Sequence, residues 1–477
     1  MSNTSIYLLQ TFLSGILVLS AIPIISNTLS PDLYGIFILA LVYSNLAAGV
    51  LNFGLHTGYE RNFFLNETSI KKSSSLIYSA ISFSALSAAI FIIFLVLFEQ
   101  NIINLIFQNV QDVPVNFLSL IFLGSVFSTL AQYYVIYLKN SKKAKAQFVY
   151  SLFTSGTNLL LIFYFLKIKQ YGLISLSYAW VISNILGFIF LFLLMFRRLQ
   201  FLISLDKLRG MLKISLPVTP KFLFGLLSTQ LDKLLIGLIG SESLVGVYHI
   251  GQTIALTIFQ FMTSLGKVFQ PELYRNLFNK TYLSQSLEIN NLIAPALYLT
   301  IFYSIFLVFF SRELINIFIP AEYYDSFEIV VILSIYYSAI FFGKITGQQL
   351  IYSKKTGLVT LMMFLGIVMN VIMNIPLIMI WGIFGAAWAT TFAGIFMTII
   401  GFFIGQRFAK IFWDFKTIAY IYLFFFFAVL IAFIDIYFEP KFTISLTIKV
   451  LLILSFAYFS YKIKYLYRNI ASLFFIK

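Results

Sequence analysis

Apolar stretches about as long as a bilayer is thick recur along the whole chain, and they constrain its fold more than any other feature. Runs such as Ala88–Phe98, Leu186–Phe196 and Leu423–Phe433 contain no charged residue and are too apolar to present a solvated face. Of the 477 residues, 60% are hydrophobic and only 10% are charged, whereas soluble domains carry roughly 25% charged residues. The strict alternation of a membrane β-barrel is absent. The sequence therefore predicts an all-α polytopic membrane protein.

Charged or turn-rich breaks divide the chain into about fourteen predicted transmembrane helices, each near the ~20 residues that cross a bilayer. They cover residues 6–28, 33–55, 76–98, 115–138, 147–166, 173–196, 215–239, 245–269, 291–311, 327–350, 357–380, 383–405, 417–438 and 442–461. No Lys or Arg precedes the first stretch, so it is predicted to be a retained helix and not a signal peptide. The absence of cysteine excludes disulfide bonds and thiolate metal sites.

The loops between the predicted helices alternate in charge. With a cytoplasmic N-terminus, the inner segments carry most of the 32 Lys and Arg residues, and the outer loops carry acidic side chains such as Glu99, Asp112 and Glu439. Cytoplasmic loops are enriched in Lys and Arg. The net charge of +15 therefore reflects topology and does not indicate nucleic-acid binding. Both termini are predicted to face the cytoplasm.

An internal repeat relates the two halves of the chain. Three matches occur in the same order at offsets of 210 to 212 residues, which favours duplication over chance. Ser30–Phe37 matches Ser241–Tyr248, and Tyr171–Ala179 matches Trp381–Ala389. Between them, Ser141–Lys143 together with Asn158 matches Ser353–Lys355 together with Asn370. Since the offset contains an even number of helices, the copies share one orientation, as in transporters built from parallel repeats.

The repeat predicts three regions. Residues 1–205 and 206–410 would form two parallel six-helix lobes around a central cavity, and residues 411–477 would add a pair of transmembrane helices. In such transporters the substrate site lies near mid-depth at the interface between repeats.

Several motifs carry a family resemblance. They are Leu33–Phe37, Phe53–Leu55 followed by Arg61, Leu216–Pro217, Gln230–Lys233, Val245–Tyr248 and Gln270–Pro271. In order and spacing they resemble bacterial O-antigen flippases of the Wzx type, within the multidrug/oligosaccharidyl-lipid/polysaccharide exporter superfamily.

That resemblance implies a protein of the bacterial cytoplasmic (inner) membrane. It would move an undecaprenyl-diphosphate-linked oligosaccharide, an O-antigen or capsule repeat unit, to the outer leaflet by alternating access. Membrane lipids, a polysaccharide polymerase and a chain-length regulator are the implied partners.

Polar residues follow one face of three predicted helices, at spacings that return to the same side every three or four residues. The stripes are Asn45, Gly49, Asn52, His56 and Glu60; Lys221, Gly225, Ser228 and Asp232; and His249, Thr253, Gln260, Ser264 and Lys267. A single stripe is more often interhelical hydrogen bonding that holds a bundle together. Corresponding stripes in both copies favour a cavity lining.

Four cations are predicted to lie near the cytoplasmic ends of the spans: Arg61, Lys221, Lys267 and Lys344. Each alone could simply snorkel to the interface. Together they are candidates to bind the diphosphate, because such a dianion cannot enter hydrocarbon unpaired.

Deeper polar residues are candidates for coupling. Asp232 and Lys233 are adjacent and point about 100° apart, so each needs a partner from another helix. His56 and His249 could relay protons, although lone histidines are more often structural. Transport would be driven by H⁺ or Na⁺, and no cofactor is expected.

Other activities are less consistent with the sequence. No GxxxxGK[ST] motif exists, so ATP hydrolysis by this chain is excluded. A membrane glycosyltransferase or O-antigen ligase would need a larger outer loop than these short connections provide. A drug or cation antiporter of the same superfamily is the closer alternative, but it would favour an acidic cavity.

Overall fold

The computed structural model describes residues 3–65, 70–107, 113–196, 198–279, 282–411, 413–438 and 442–462. The described residues are overwhelmingly α-helical and contain no β-strand. The helices are α1 (Asn3–Ser26), α2 (Pro31–Leu51), α3 (Leu55–Leu65), α4 (Ile70–Ile106), α5 (Phe117–Asn140), α6 (Ala144–Phe163), α7 (Ile174–Phe196), α8 (Leu205–Ile239), α9 (Glu242–Asn279), α10 (Tyr282–Phe318), α11 (Ser326–Tyr352), α12 (Thr356–Phe408), α13 (Phe415–Phe438) and α14 (Phe442–Lys462). A π-helical turn, Tyr164–Ile168, continues α6.

Helix α12 is two transmembrane helices joined by a reversal. Its 53 residues would extend about 80 Å if straight, far more than a bilayer is thick. Gly382 has non-helical angles (φ 57°, ψ −131°), and Asn370 Nδ2 donates to Thr390 Oγ1 at 2.9 Å. Residues twenty apart touch only if the chain folds back. Of the described helices, 13 are long and apolar enough to cross a membrane. With α12 counted twice, the prediction of fourteen spans is confirmed.

The second predicted helix is not continuous as expected. It ends at Leu51, and α3 begins at Leu55. Between them Phe53 (φ 49°) and Gly54 (φ 62°) adopt left-handed conformations, which break the helical register. The expected stripe from Asn45 to Glu60 therefore does not lie on one helical face.

Repeat-related positions share local geometry. Lys142 and Lys354 both have positive φ, 55° and 57°. The following amides make the same bond, Lys143 N to Leu138 O and Lys355 N to Leu350 O, each at 2.8 Å. Gly172 and Gly382 likewise both have positive φ, 66° and 57°.

The chain forms two compact units, residues 12–249 and residues 250–477 together with residues 1–11. In the first, α5 packs against α2, α4 and α7, and α8 packs against α2 and α3. In the second, α11 packs against α12, while α10 packs against α11 and α13. Ser264 of α9 donates to Thr11 of α1 at 2.9 Å within that second unit. The predicted lobe boundaries at residues 205 and 410 stay a prediction.

Helix α5 begins on a cap supplied by another helix. Its preceding residue, Asn116, makes no side-chain cap bond. The buried Glu99 carboxylate at the end of α4 accepts instead from Leu118 N at 2.9 Å and from Ser119 Oγ at 2.5 Å. The first N–H groups of a helix have no acceptor within the helix, and a carboxylate beside them is favourable. Glu99 therefore fixes the start of α5 relative to α4.

Candidate functional site

A buried polar network surrounds the break between α2 and α3. Asn52 is 1% exposed, and its Oδ1 accepts from Ser84 Oγ of α4 at 2.9 Å and from the Tyr133 hydroxyl of α5. The two hydroxyls lie 3.0 Å apart. Ser87 Oγ donates to the Leu51 carbonyl at 3.0 Å. The break is therefore satisfied by side chains of α4 and α5, as buried backbone and amide groups require.

His56 belongs to this network and not to a solvated surface. Its Nδ1 lies 3.1 Å from Asn52 Nδ2, and its Nε2 lies 3.2 Å from the Thr129 carbonyl. Because Asn52 Oδ1 accepts the two hydroxyls, the amide donates to Nδ1. His56 therefore carries its proton on Nε2 and donates it to Thr129. Its ring centre lies 4.4 Å from that of Tyr133.

A second polar group joins α8 to the start of α9. Asp232 and Lys233 are 7% and 5% exposed, and the Tyr248 hydroxyl donates to Asp232 Oδ2 at 2.8 Å. His249 follows Tyr248 in the chain, and its ring makes an edge contact with the Tyr34 ring, at 5.8 Å between the ring centres. The Tyr248–Asp232 hydrogen bond thus places the start of α9, which carries His249, against the Asp232–Lys233 segment of α8 within the first unit.

The four predicted phosphate-binding cations are only partly described. Arg61 is exposed on α3, and α3 packs against α8 through Gly58, next to the contact that Gly54 of the preceding break makes with α8. The half-buried Lys344 places Nζ 5.0 Å from the centre of the Phe259 ring. The side chains of Lys221 and Lys267 lie outside the described residues. The joint action of the four cations stays a prediction.

The remaining candidates have local roles in the structure. Asn45 and Gln260 are half-buried. Asn370 Nδ2 donates across the α12 hairpin to Thr390 Oγ1. Outside the spans, burial and the nearby Arg198 lower the pKa of Lys143 in the α5–α6 turn.

Sequence reasoning missed a buried charge cluster in the second unit. Lys449 of α14 is 2% exposed, and its Nζ lies 2.6 Å from Glu313 Oε1 and 2.8 Å from Asp435 Oδ2. Ser445 Oγ also donates to Asp435 Oδ2, at 2.7 Å, and an Arg312 guanidinium N–H donates to the Asp435 carbonyl. Glu313 and Arg312 lie within α10, which runs on to Phe318 and extends beyond the predicted span. The sequence did contain a signal for this cluster, because Lys449 is a charged residue inside a predicted transmembrane helix and such residues usually pair with another charge.

Among the described residues, no three His, Cys, Asp or Glu side chains are grouped so that they could hold a metal ion.

The fold is that of multi-pass transporters and flippases of the MOP superfamily. The chain is similar to a structure of the lipid II flippase MurJ in an inward closed conformation, with a TM-score of 0.75 and 19% identity over 96% of this chain and 98% of that one. It is also similar to an inward-facing multidrug-resistance MATE transporter (TM-score 0.64, 14% identity, 85% and 98% covered). A third similar structure is a MOP-superfamily transporter from Pyrococcus furiosus (TM-score 0.56, 14% identity, 85% and 94% covered).

The family itself is shown by sequence. A model of the polysaccharide biosynthesis protein family matches residues 24–327, more than half of the chain. The chain belongs to that family. No curated protein matches it.

Proposed function

We propose that this protein is a flippase that moves a diphosphate-linked polyprenyl oligosaccharide, an O-antigen or capsule repeat unit, from the cytoplasmic to the outer leaflet of the bacterial inner membrane by alternating access. The observation that carries the proposal is the presence of cations inside the spans of a polysaccharide biosynthesis family member. Lys233 is buried and Lys344 half-buried, each within a span.

The chemistry of the substrate supports these cations. A diphosphate dianion is costly in hydrocarbon unless protein cations accompany it. Lysine supplies a point charge and arginine a bidentate fork, both suited to phosphate oxygens. Lys344 Nζ lies close to α9, 4.0 Å from the position that a Cβ on Gly266 would take. Arg61, Lys221 and Lys267 are the other cations that the sequence predicts to bind the diphosphate.

The proposal needs no catalytic step. The substrate crosses with its covalent structure intact, and an H⁺ or Na⁺ gradient drives the cycle. Asp232, Lys233 and His249 are the coupling candidates, because Asp232 and Lys233 are buried titratable residues and the Tyr248 hydrogen bond to Asp232 places the start of α9, with His249, beside them. In the cell the product would be consumed by a polysaccharide polymerase with its chain-length regulator.

Two lysines offer a matched test of substrate binding. Lys344 and Lys355 each place Nζ over an aromatic ring, at 5.0 Å from Phe259 and 5.4 Å from Phe408. Lys344 is half-buried in a span, and Lys355 is exposed beside the α11–α12 turn. If Lys344 pairs with phosphate, Lys344→Ala should weaken binding about tenfold or more, whereas Lys355→Ala should change it little.

Binding would be measured by native mass spectrometry and ligand-induced thermal shift in nanodiscs. The ligands are a polyprenyl-diphosphate oligosaccharide, the corresponding monophosphate and a cationic dye. Preference for the diphosphate together with loss in Lys344→Ala supports the proposal. Preference for the dye would identify the antiporter alternative, and equal effects of the two lysine variants would remove Lys344 from the site.

A further inference from the structure

Two glycines let helices α2 and α9 touch backbone to backbone at their first turns. A Cβ on Gly35 would lie 1.7 Å from the Glu242 carbonyl oxygen and 3.1 Å from its Cα. A Cβ on Gly246 would lie 2.4 Å from the Pro31 carbonyl oxygen and 3.2 Å from Gly35 N. Real Cβ atoms do not come that close to backbone, so no other residue fits at either position without moving the helices apart.

The contact is reciprocal in terms of the repeat. Gly246 lies 211 positions after Gly35, and Glu242 lies 211 positions after Pro31. Gly35 therefore meets the counterpart of Pro31, while Gly246 meets Pro31 itself. This is the pattern of a local two-fold axis, at which each copy presents the same surface to the other. All four residues belong to the first compact unit.

The nature of the contact makes it able to separate. Small residues in membrane helices allow close backbone approach, and dispersion is the main attraction where backbone meets backbone. The next layer is also built on a glycine, since a Cβ on Gly237 of α8 would lie 2.9 Å from the Leu39 methyl groups.

Helix α2 also carries a hinge at its opposite end. Phe53 and Gly54 interrupt the helix between Leu51 and Leu55. Hinges are a few residues at element ends that absorb changes in φ and ψ. A pivot at 52–54 would move the Pro31 end of α2 farthest while the Asn52 network holds the pivot.

We propose that the paired first turns of α2 and α9, closed by Gly35 and Gly246, form the gate on the face predicted to be extracytoplasmic, and that α2 opens it by pivoting at Phe53 and Gly54. The role of the gate rests on the transport function proposed above, whereas its existence is tested without any substrate.

The chain contains no cysteine, so two thiols can be introduced into the natural sequence without removing others. Asp32 and Ser243 are repeat counterparts, both half-buried and each next to a contact residue. Spin labels on Asp32→Cys and Ser243→Cys in proteoliposomes should report mainly a short separation. The gate predicts a second, longer population that grows when the contact is weakened.

Glycine substitutions supply the perturbation and its controls. Gly35→Ala or Gly246→Ala should raise the ratio of separated to closed molecules about fivefold or more, the effect of a modest change in contact free energy. Gly156→Ala is the neutral control, since nothing lies within 4 Å of its Cβ position. Gly58→Ala is the positional control: Gly58 lies in α3, beyond the pivot, and its Cβ would press on Ser215 and Met211 of α8. Neither control should lengthen the label separation.

Leu39→Ala gives a second variant if an alanine at the gate does not yield folded protein. It removes the packing on Gly237 without adding atoms and should also favour separation. A reversible cross-link between the two introduced thiols should stop lipid translocation, and its reduction should restore it. The gate proposal is contradicted if the label separation stays short in the Gly35, Gly246 and Leu39 variants. It is also contradicted if the cross-linked protein translocates lipid as fast as the protein without the cross-link. Loss of binding to a diphosphate lipid with normal gate opening would instead count against the proposed substrate alone.

Discussion

The two compact units each bury a polar network, and the two networks differ in charge. In the second unit, Lys449 is enclosed by the Glu313 and Asp435 carboxylates. In the first unit, Asn52 is enclosed by the neutral hydroxyls of Ser84 and Tyr133. Both networks join three helical elements, yet the energetic consequences of losing one member are unequal. An isolated buried charge costs far more than an isolated buried hydroxyl or amide.

The difference suggests two uses of buried polarity. The charged cluster joins α14 to α10 and α13. It fixes their register, because sliding α14 along its neighbours would leave a carboxylate without its lysine partner. The neutral network lies at a helix break, where weaker bonds hold the pivot proposed for α2. The charged cluster around Lys449 thus acts as a rigid anchor and the neutral network around Asn52 as a hinge support, and the two differ in charge.

The largest expected effect is the loss of Lys449. Lys449→Met leaves the buried Asp435 carboxylate and the half-buried Glu313 carboxylate without their cation, which should destabilise the protein by about 3–5 kcal/mol. The measurement is thermal or denaturant unfolding in detergent, followed by size-exclusion chromatography. The triple variant Lys449→Met/Glu313→Gln/Asp435→Asn should recover most of the loss, since no charge is then stranded. If the single variant is as stable as wild type, the contrast between the networks is broken.

Much of the fold was predictable because the membrane restricts it. Apolar length predicted the spans, and the structure matches them once Gly382 divides α12. The α2–α3 break was not predicted: the polar stripe has helical spacing straight through Phe53, a residue type that seldom has positive φ. Only tertiary contacts from Ser84 and Tyr133 explain why the break is tolerated.

The sites were less predictable, since a stripe shows which face is polar but not which helix it meets. Asn52 and His56 were recognised as polar positions, but their partners Tyr133 and Thr129 are 81 and 73 residues away. The pairing of Lys449 with Glu313 spans 136 residues. Glu99, assigned to an acidic loop, is a helix cap whose role depends on where α5 begins. Such pairings require the packed structure.

An intermediate effect is expected at the neutral network. Tyr133→Phe removes one hydroxyl from Asn52 Oδ1 but leaves Ser84 as a donor. The free energy of unfolding should therefore fall by about 1–2 kcal/mol. Asn52→Leu should cost more than Tyr133→Phe, because it removes the acceptor of both hydroxyls, which could then bond only to each other, and also the donor to His56 Nδ1. The same unfolding assay gives the order, and a loss at Tyr133→Phe equal to that at Lys449→Met would show that charge is not what separates the two networks.

The smallest expected effect is at the exposed ion pair, which provides the lower end of the comparison. Lys139 Nζ lies 2.7 Å from Glu60 Oε1, close to the 2.6 Å between Lys449 and Glu313, but the Lys139 and Glu60 side chains are 51% and 40% exposed. Water screens such a pair, and holding two long side chains in one geometry costs entropy. Lys139→Ala should therefore change the free energy of unfolding by only about 0–1 kcal/mol, and raising the salt concentration should reduce the difference further. Unfolding curves of Lys139→Ala and Lys449→Met at two ionic strengths test the point directly. If Lys139→Ala approaches the loss expected for Lys449→Met, distance and not burial governs these ion pairs, and the contrast between anchor and hinge support would need a different physical basis.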